Sequence, residues 1–78
     1  MSNNARISRV ADKGLDALTM REHQVLLYVA KGFSDKEIGE LLQVSRHTIN
    51  SHLRCIFSAL GASTRVEAAV IAAKAGLV

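Results

Sequence analysis

A chain of 78 residues has room for one small domain and no more. Its residues are 49% hydrophobic, which suffices for a folded core, but no apolar run spans a membrane and no signal-peptide core opens the chain. The net charge of +3 suits a polyanionic partner, and the single Cys55 excludes an internal disulfide. Abundant Ala and Leu without Pro favour helices. Together these features predict a soluble, cytoplasmic, all-helical domain.

The first residues of the chain show no sustained hydrophobic periodicity. Small and polar residues interrupt the pattern, and Arg6, Arg9 and Lys13 make the segment basic. We therefore predict a flexible basic arm or linker over residues 1–16 and a folded domain over residues 17–78.

Three positions carry a Ser or Thr followed three residues later by Glu, a pair that can cap the start of a helix reciprocally. These capping boxes begin at Thr19, Ser34 and Thr64. Gly32 and Gly61 follow helical stretches and are predicted to end them, because glycine suits the end of a helix. Together with the apolar periodicity, these signals predict an all-α, four-helix bundle-like domain with helices over about 19–31, 35–42, 46–60 and 65–75.

The middle of the chain has the layout of a helix-turn-helix. The second predicted helix is short, Val44 supplies an apolar plug after it, and Ser45 caps a longer third helix. A short helix, a tight turn and a longer helix in this order are typical of DNA-binding helix-turn-helix motifs. In the short helix, Leu41 is expected to face the core, and Gly39 would allow a close approach to the third helix.

The third predicted helix has two different faces. Its apolar stripe, expected to pack on the core, consists of Ile49, Leu53, Ile56 and Leu60. Its opposite face carries polar or basic side chains, namely His47, Asn50, Ser51, Arg54 and Ser58. No Asp or Glu occurs between Glu40 and Glu67, but this interval contains Arg65 and other basic residues. It therefore has no carboxylate that would repel a phosphate. This face fits a DNA major groove, although an ordinary amphipathic surface helix would have a similar pattern.

The last predicted helix is apolar on both sides. One stripe consists of Val66, Ala69, Val70 and Ala73, and the other of Ala68, Ile71, Ala72 and Ala75. A terminal helix of a small domain should have one wet face, so we predict that the second stripe forms a two-fold dimer interface. The alternative is that alanine is simply a good helix former, tolerated anywhere in a helix.

The spacing of the reactive residues does not favour a metal site or a catalytic site. His52 and Cys55 stand three apart on one predicted helix, but a metal needs three or four converging ligands and no others converge here. Cys55 is expected to be a half-buried apolar residue and His23 a surface residue. Because the sequence also lacks a Gly-rich phosphate loop and a carboxylate pair for acid–base work, we predict no metal, no cofactor and no enzymatic activity.

Short motifs occur in a fixed order over almost the whole predicted domain, between Leu15 and Val78. They include LTMRE at 18–22, VAKG at 29–32, SDKEI at 34–38, VSRHTI at 44–49 and TRVEA at 64–68. In this order and spacing they resemble the LuxR/FixJ-type, or GerE-like, DNA-binding domain. The resemblance implies a four-helix domain with a central helix-turn-helix. It also implies regulation of transcription in bacteria and dimeric binding to a palindrome-like site, often through the fourth helix.

The resemblance also implies roles for single residues. Asn50, Ser51 and Arg54 match positions that face bases or nearby phosphates, with His47 at the rim of that face. Backbone contacts are expected from Lys36, Ser45, Arg46, Thr48 and His52. The family usually carries Lys at the position of Asn50, and this departure leaves the base preference open. Asn can pair bidentately with adenine, whereas Lys contacts guanine or phosphate.

We therefore predict sequence-specific binding of double-stranded DNA by a bacterial transcription regulator, with the third helix in the major groove. Further expectations are a homodimer on DNA, RNA polymerase as a candidate partner, and a place in the cytoplasm at the nucleoid. Family members usually carry a regulatory domain before this module, so the chain would be an excised or a free-standing domain. The competing hypothesis is a helical protein-interaction module whose third helix docks on a protein. Only DNA binding should weaken steeply as salt rises.

Overall fold

Four helices and a short helical turn make up residues 14–77, the part of the chain that this computed structural model describes. The helices are α1 (Met20–Ala30), α2 (Asp35–Leu42), α3 (Arg46–Leu60) and α4 (Arg65–Lys74). The predicted all-α fold is confirmed, and each helix begins and ends within one residue of its expected position. Over residues 14–77 no single helix is long and apolar enough to cross a membrane, and α3 and α4 meet that criterion only as a pair bent by 60°.

The helical turn before α1 is part of the folded unit. Residues 14–16 are helical, and Leu15 is buried in the core. A Cβ atom on Gly14 would lie only 2.7 Å from a backbone carbonyl oxygen at the end of α3. His23, expected on the surface, is half-buried, and its Nε2 donates to the carbonyl oxygen of Leu15 at 2.8 Å. The folded unit thus includes residues that the sequence pattern assigned to the arm, while residues 1–13 lie outside the described part.

Hydrogen-bonded caps start the first two helices as predicted. In α1, Glu22 N donates to Thr19 Oγ1 at 3.1 Å and Thr19 N donates to Glu22 Oε1 at 2.9 Å. In α2, Glu37 N donates to Ser34 Oγ at 3.1 Å and Ser34 N donates to Glu37 Oε1 at 2.8 Å. At Thr64 only the hydroxyl accepts from the helix backbone, so the third capping box is half formed. These local bonds satisfy N–H groups that the first turn of a helix leaves free.

The core lies where α1 packs against α3 and α4, with α2 packed on α3. Its largest fully buried side chains are Val25, Leu26, Ile38, Ile49 and Ile56. The expectation that Leu41 faces the core was wrong, since this side chain is half exposed. The buried side of α2 is formed by Ile38 and Gly39, with Leu42 partly buried beside them, and this rotation turns Leu41 towards solvent.

The turn between α2 and α3 is tight for two reasons. A Cβ atom on Gly39 would lie 2.8 Å from the carbonyl oxygen of Val44 and 3.8 Å from Cγ1 of Ile49. The close approach expected at Gly39 is therefore present, but its nearest neighbour is the turn and not the third helix. Gln43 closes the turn in the left-handed conformation, with φ of 58°, which is uncommon for a residue other than glycine. The angle between α2 and α3 is thus fixed by backbone contacts.

Candidate nucleic-acid interface

The exposed face of α3 brings together the four residues predicted to read bases. His47, Asn50, Ser51 and Arg54 are all exposed on one side of the helix. The buried residues of α3 are Ile49, Leu53 and Ile56, which form the opposite side. The apolar stripe therefore anchors the helix and turns its polar face outward. Base contact by these residues stays a prediction.

The N-terminus of α3 differs from those of the other three helices. Thr48 N donates to Ser45 Oγ at 3.0 Å, and the two hydroxyl oxygens also lie 3.0 Å apart. No acidic residue lies in the first turn of α3, whereas α1, α2 and α4 each have at least one there. The positive end of the α3 dipole is therefore not compensated by a carboxylate, which favours an approaching anion.

The backbone-contact candidates lie on α2 and α3. Arg46 is exposed in the first turn of α3 and Lys36 is exposed in the first turn of α2. Thr48 and His52 are half-buried on α3, where part of each side chain still reaches solvent. Lys36 lies between two acidic neighbours, so the position of their carboxylates decides whether a phosphate can approach it.

Both carboxylates beside Lys36 have protein partners. The backbone N–H of Ser34 donates to the Glu37 carboxylate and lowers the pKa of this side chain, so it stays ionised but turned towards the cap. Asp35 accepts a hydrogen bond from Arg65 Nη1 at 2.6 Å. In the sequence, Arg65 is only one of the basic residues of the acid-free interval, and its contact with Asp35 was not predicted. Arg65 and Asp35 are 30 positions apart, and no local spacing rule joins such residues.

Acidic and apolar groups share another surface of the domain. On α2, a shallow depression of about 310 Å³ is lined by Phe33, Glu37, Glu40 and Leu41. No carboxylate occurs on α3. Among the described helices, α3 is therefore the one best suited to face a polyanion.

The prediction that the stripe of Ala68, Ile71, Ala72 and Ala75 on α4 forms a dimer interface was wrong. Ala68 and Ala72 are fully buried in the chain's own core, so they have no surface left for a second copy. Their small side chains allow α4 to pack closely on the rest of the domain. Ile71 and Ala75 are half-buried. The exposed apolar residues of α4 belong to the other stripe.

That other stripe presents two large side chains to solvent. Val66 is 71% exposed and Val70 is 44% exposed. The sequence established that both sides of α4 are apolar, but it could not tell which side packs against the domain. Burial in the folded chain makes that distinction.

One further side chain and the grouping of metal-ligand residues can be compared with the sequence expectations. Cys55 is exposed and not half-buried as expected, since the buried side of α3 is formed by Ile49, Leu53 and Ile56 and Cys55 lies outside it. Within residues 14–77 no three His, Cys, Asp or Glu residues are grouped as metal ligands would be. The polar face of α3 thus remains the strongest candidate for a functional surface.

Comparison with known proteins gives one family match. A family model described as "Bacterial regulatory proteins, luxR family" matches residues 16–72. The chain is 41% identical to the transcriptional regulatory protein LiaR of Bacillus subtilis, over 81% of the chain and 30% of that protein. It is 39% identical to the transcriptional regulatory protein ComA of the same organism, over 86% of the chain and 31% of that protein.

A third relative matches almost the whole chain. The putative HTH-type transcriptional regulator y4qH of Sinorhizobium fredii is 32% identical over 94% of the chain and 24% of that protein. The chain thus spans only about a quarter to a third of the length of these relatives. No solved structure gives a significant match.

Proposed function

The chain belongs to the luxR family of bacterial regulatory proteins, a family of DNA-binding transcription regulators, and from that premise we propose that it binds double-stranded DNA sequence-specifically through α3. The observation that carries the proposal is the exposed, acid-free face of α3, held outward by the buried residues Ile49, Leu53 and Ile56 of the same helix. A helix of this kind fits the width of the major groove and can present donors and acceptors to base edges. Nothing in this arrangement calls for catalysis, and we propose no enzymatic activity.

The roles proposed for single residues follow their reach and charge. Arg54 is the principal base reader, since its guanidinium can bond bidentately to guanine. Asn50 and Ser51 read at shorter range and His47 lies at the rim. The phosphate backbone is held by Lys36, Ser45, Arg46, Thr48 and His52, assisted by N–H groups at the helix starts.

A binding selection on random duplexes, read by sequencing, tests this function most directly. A recovered consensus would support sequence-specific recognition, and its symmetry would report the number of bound copies. The competing function is a protein-interaction module that uses the same helical scaffold. Affinity that stays flat as salt rises would contradict the DNA proposal, because binding through several basic residues releases counterions and weakens with salt.

The Lys36→Ala variant should bind every duplex more weakly than the wild type does, and the loss of affinity should be about the same for all sequences. Because Lys36 is proposed to neutralise one phosphate, the slope of log affinity against log salt should fall by about one. Fluorescence anisotropy at several salt concentrations measures this slope. Lys31→Ala, which removes another exposed lysine at the end of α1, is the matched control and should leave the slope unchanged. A loss confined to one operator sequence would contradict a backbone role for Lys36.

We also propose that two copies bind a palindrome-like site, in contact through the exposed stripe of α4. Val66 and Val70 supply the apolar surface that such a contact would bury, with Ile71 at its edge. A symmetric protein pair reads a symmetric site, so the half-site spacing would follow from the position of this contact.

The Val70→Glu variant should abolish the two-copy complex at protein concentrations where the wild type forms it, because a charge would be buried in an apolar contact. Sedimentation velocity on a palindromic duplex and on its half-site would show one bound copy in both cases. Met20→Glu makes the same chemical change at a residue that is 88% exposed on α1 and should keep the two-copy complex. Cooperative occupation of both half-sites by Val70→Glu would rule out this interface.

A transcription regulator acts where RNA polymerase acts. The proposal therefore places the domain in the cytoplasm at the nucleoid and keeps RNA polymerase as a candidate further partner. The signal that controls binding would come from parts of a longer protein, as the greater length of the relatives suggests.

A further inference from the structure

Arg65 ties the start of α4 to the start of α2. Its Nη1 donates to Asp35 Oδ1 at 2.6 Å and its Nη2 donates to the carbonyl oxygen of Phe33 at 2.6 Å. Arg65 is the first residue of α4 and Asp35 is the first residue of α2. One guanidinium group therefore fixes two points of the chain on either side of the Ser34 cap.

The group that Arg65 binds lies beside the proposed phosphate contact of α2. Lys36 follows Asp35 directly and is exposed, and Glu37 comes next. An unpaired carboxylate at either neighbouring position would repel a phosphate that approaches Lys36. Glu37 is turned back towards the Ser34 N–H, and the charge of Asp35 is met by Arg65. The second of these arrangements depends on a residue from another helix.

We propose, on the basis of the DNA-binding function proposed above, that Arg65 is a positioning residue for that binding. It holds the first turn of α2 in place and offsets the charge of Asp35, so that Lys36 can approach a phosphate. Arg65 does not itself contact DNA, since both of its terminal nitrogens are already directed at protein oxygens. Lysine cannot reproduce this role, because only the planar fork of arginine places two donors on two fixed oxygens.

A second substitution, at Asp35, distinguishes an effect of the Arg65 charge on DNA binding from a purely structural effect of the Arg65 contact. Arg65→Ala leaves Asp35 unpaired beside Lys36, and adding Asp35→Asn removes that carboxylate without restoring the lost contact. If Arg65 acts partly through charge, the double variant should bind DNA better than Arg65→Ala while being no more stable. If the contact only held the fold together, both variants should lose stability and affinity in parallel.

The experiment measures binding of the whole chain to a labelled mixed-sequence duplex of about three helical turns, across a range of salt concentrations. Thermal unfolding is followed in parallel. Arg65→Ala should bind about three- to tenfold more weakly at low salt, and Arg65→Ala/Asp35→Asn should recover most of that loss. Arg65→Lys should recover little. The salt slope of Arg65→Ala should fall, because Lys36 then approaches its phosphate less well, and the slope of the double variant should return towards the wild-type value.

Four results would overturn the inference. A salt slope lowered by about one in both Arg65→Ala and the double variant would make Arg65 a phosphate contact itself. Equal losses of affinity in the single and double variants would reduce its role to stability, and wild-type affinity in Arg65→Ala would remove any role. Wild-type binding is measured first, and a wild-type chain that binds no duplex would overturn the proposed function and this inference together.

Discussion

The Ile49→Ala variant is expected to lose about 2–5 kcal/mol of unfolding free energy, the cost of a cavity left by a large buried aliphatic side chain. Ile49 is fully buried on the inner side of α3, and its Cγ1 lies close to Gly39 of α2. A domain of this size has a total stability of only about 3–10 kcal/mol. The expected loss is therefore a large fraction of the total stability of the domain.

Urea denaturation followed by circular dichroism measures this loss. Met20→Ala is the control, since it also shortens a large apolar side chain, but one that is exposed to solvent. It should change the unfolding free energy by no more than about 0.5 kcal/mol. An Ile49→Ala midpoint equal to that of the wild type would mean that α3 does not pack through this stripe.

The Arg54→Ala variant should fold normally and lose about 1–3 kcal/mol of binding free energy at the selected operator, or about 5- to 150-fold in affinity. The side chain is exposed and none of the hydrogen bonds in the described part of the chain involves it, so its removal should not disturb the core. Because Arg54 is proposed to read a base, the loss should be larger on the operator than on a mixed-sequence duplex. Titration of both duplexes at one salt concentration separates these cases.

Arg21→Ala is the matched control, because it removes the same charge from an exposed position of α1. Its affinity for the operator should fall far less. Chemical-shift mapping with the operator adds a second measure, in which Asn50, Ser51 and Arg54 should all respond. Unchanged operator binding by Arg54→Ala, or shifts confined to other residues, would show that the reading face lies elsewhere.

Local signals explain why so much of the fold could be predicted. A capping box joins residues three positions apart, so Thr19 with Glu22 and Ser34 with Glu37 could be identified before any tertiary contact was known. The apolar stripe of α3 repeats at helical spacing, which made its outward face predictable from periodicity alone. The candidate reading residues follow directly from that face.

The features that could not be predicted depend on how the helices pack against each other. Both sides of α4 are apolar, and only the packed domain shows that Ala68 is inside and Val66 outside. Leu41 satisfied the apolar pattern of α2, but α2 packs through Ile38 and Gly39, which leaves Leu41 half exposed. The contact of Arg65 with Asp35 spans 30 positions, a separation at which pairing requires the fold itself.

The absence of carboxylates from α3 has a consequence for the kinetics of association. Acidic side chains lie on α1, α2 and α4, so the charge of this basic chain is unevenly distributed among its helices. In the field of a duplex such a molecule experiences a torque that turns α3 forward during diffusion. A larger share of encounters would then begin in the productive orientation, and this gain in rate should vanish as added ions shorten the range of the field.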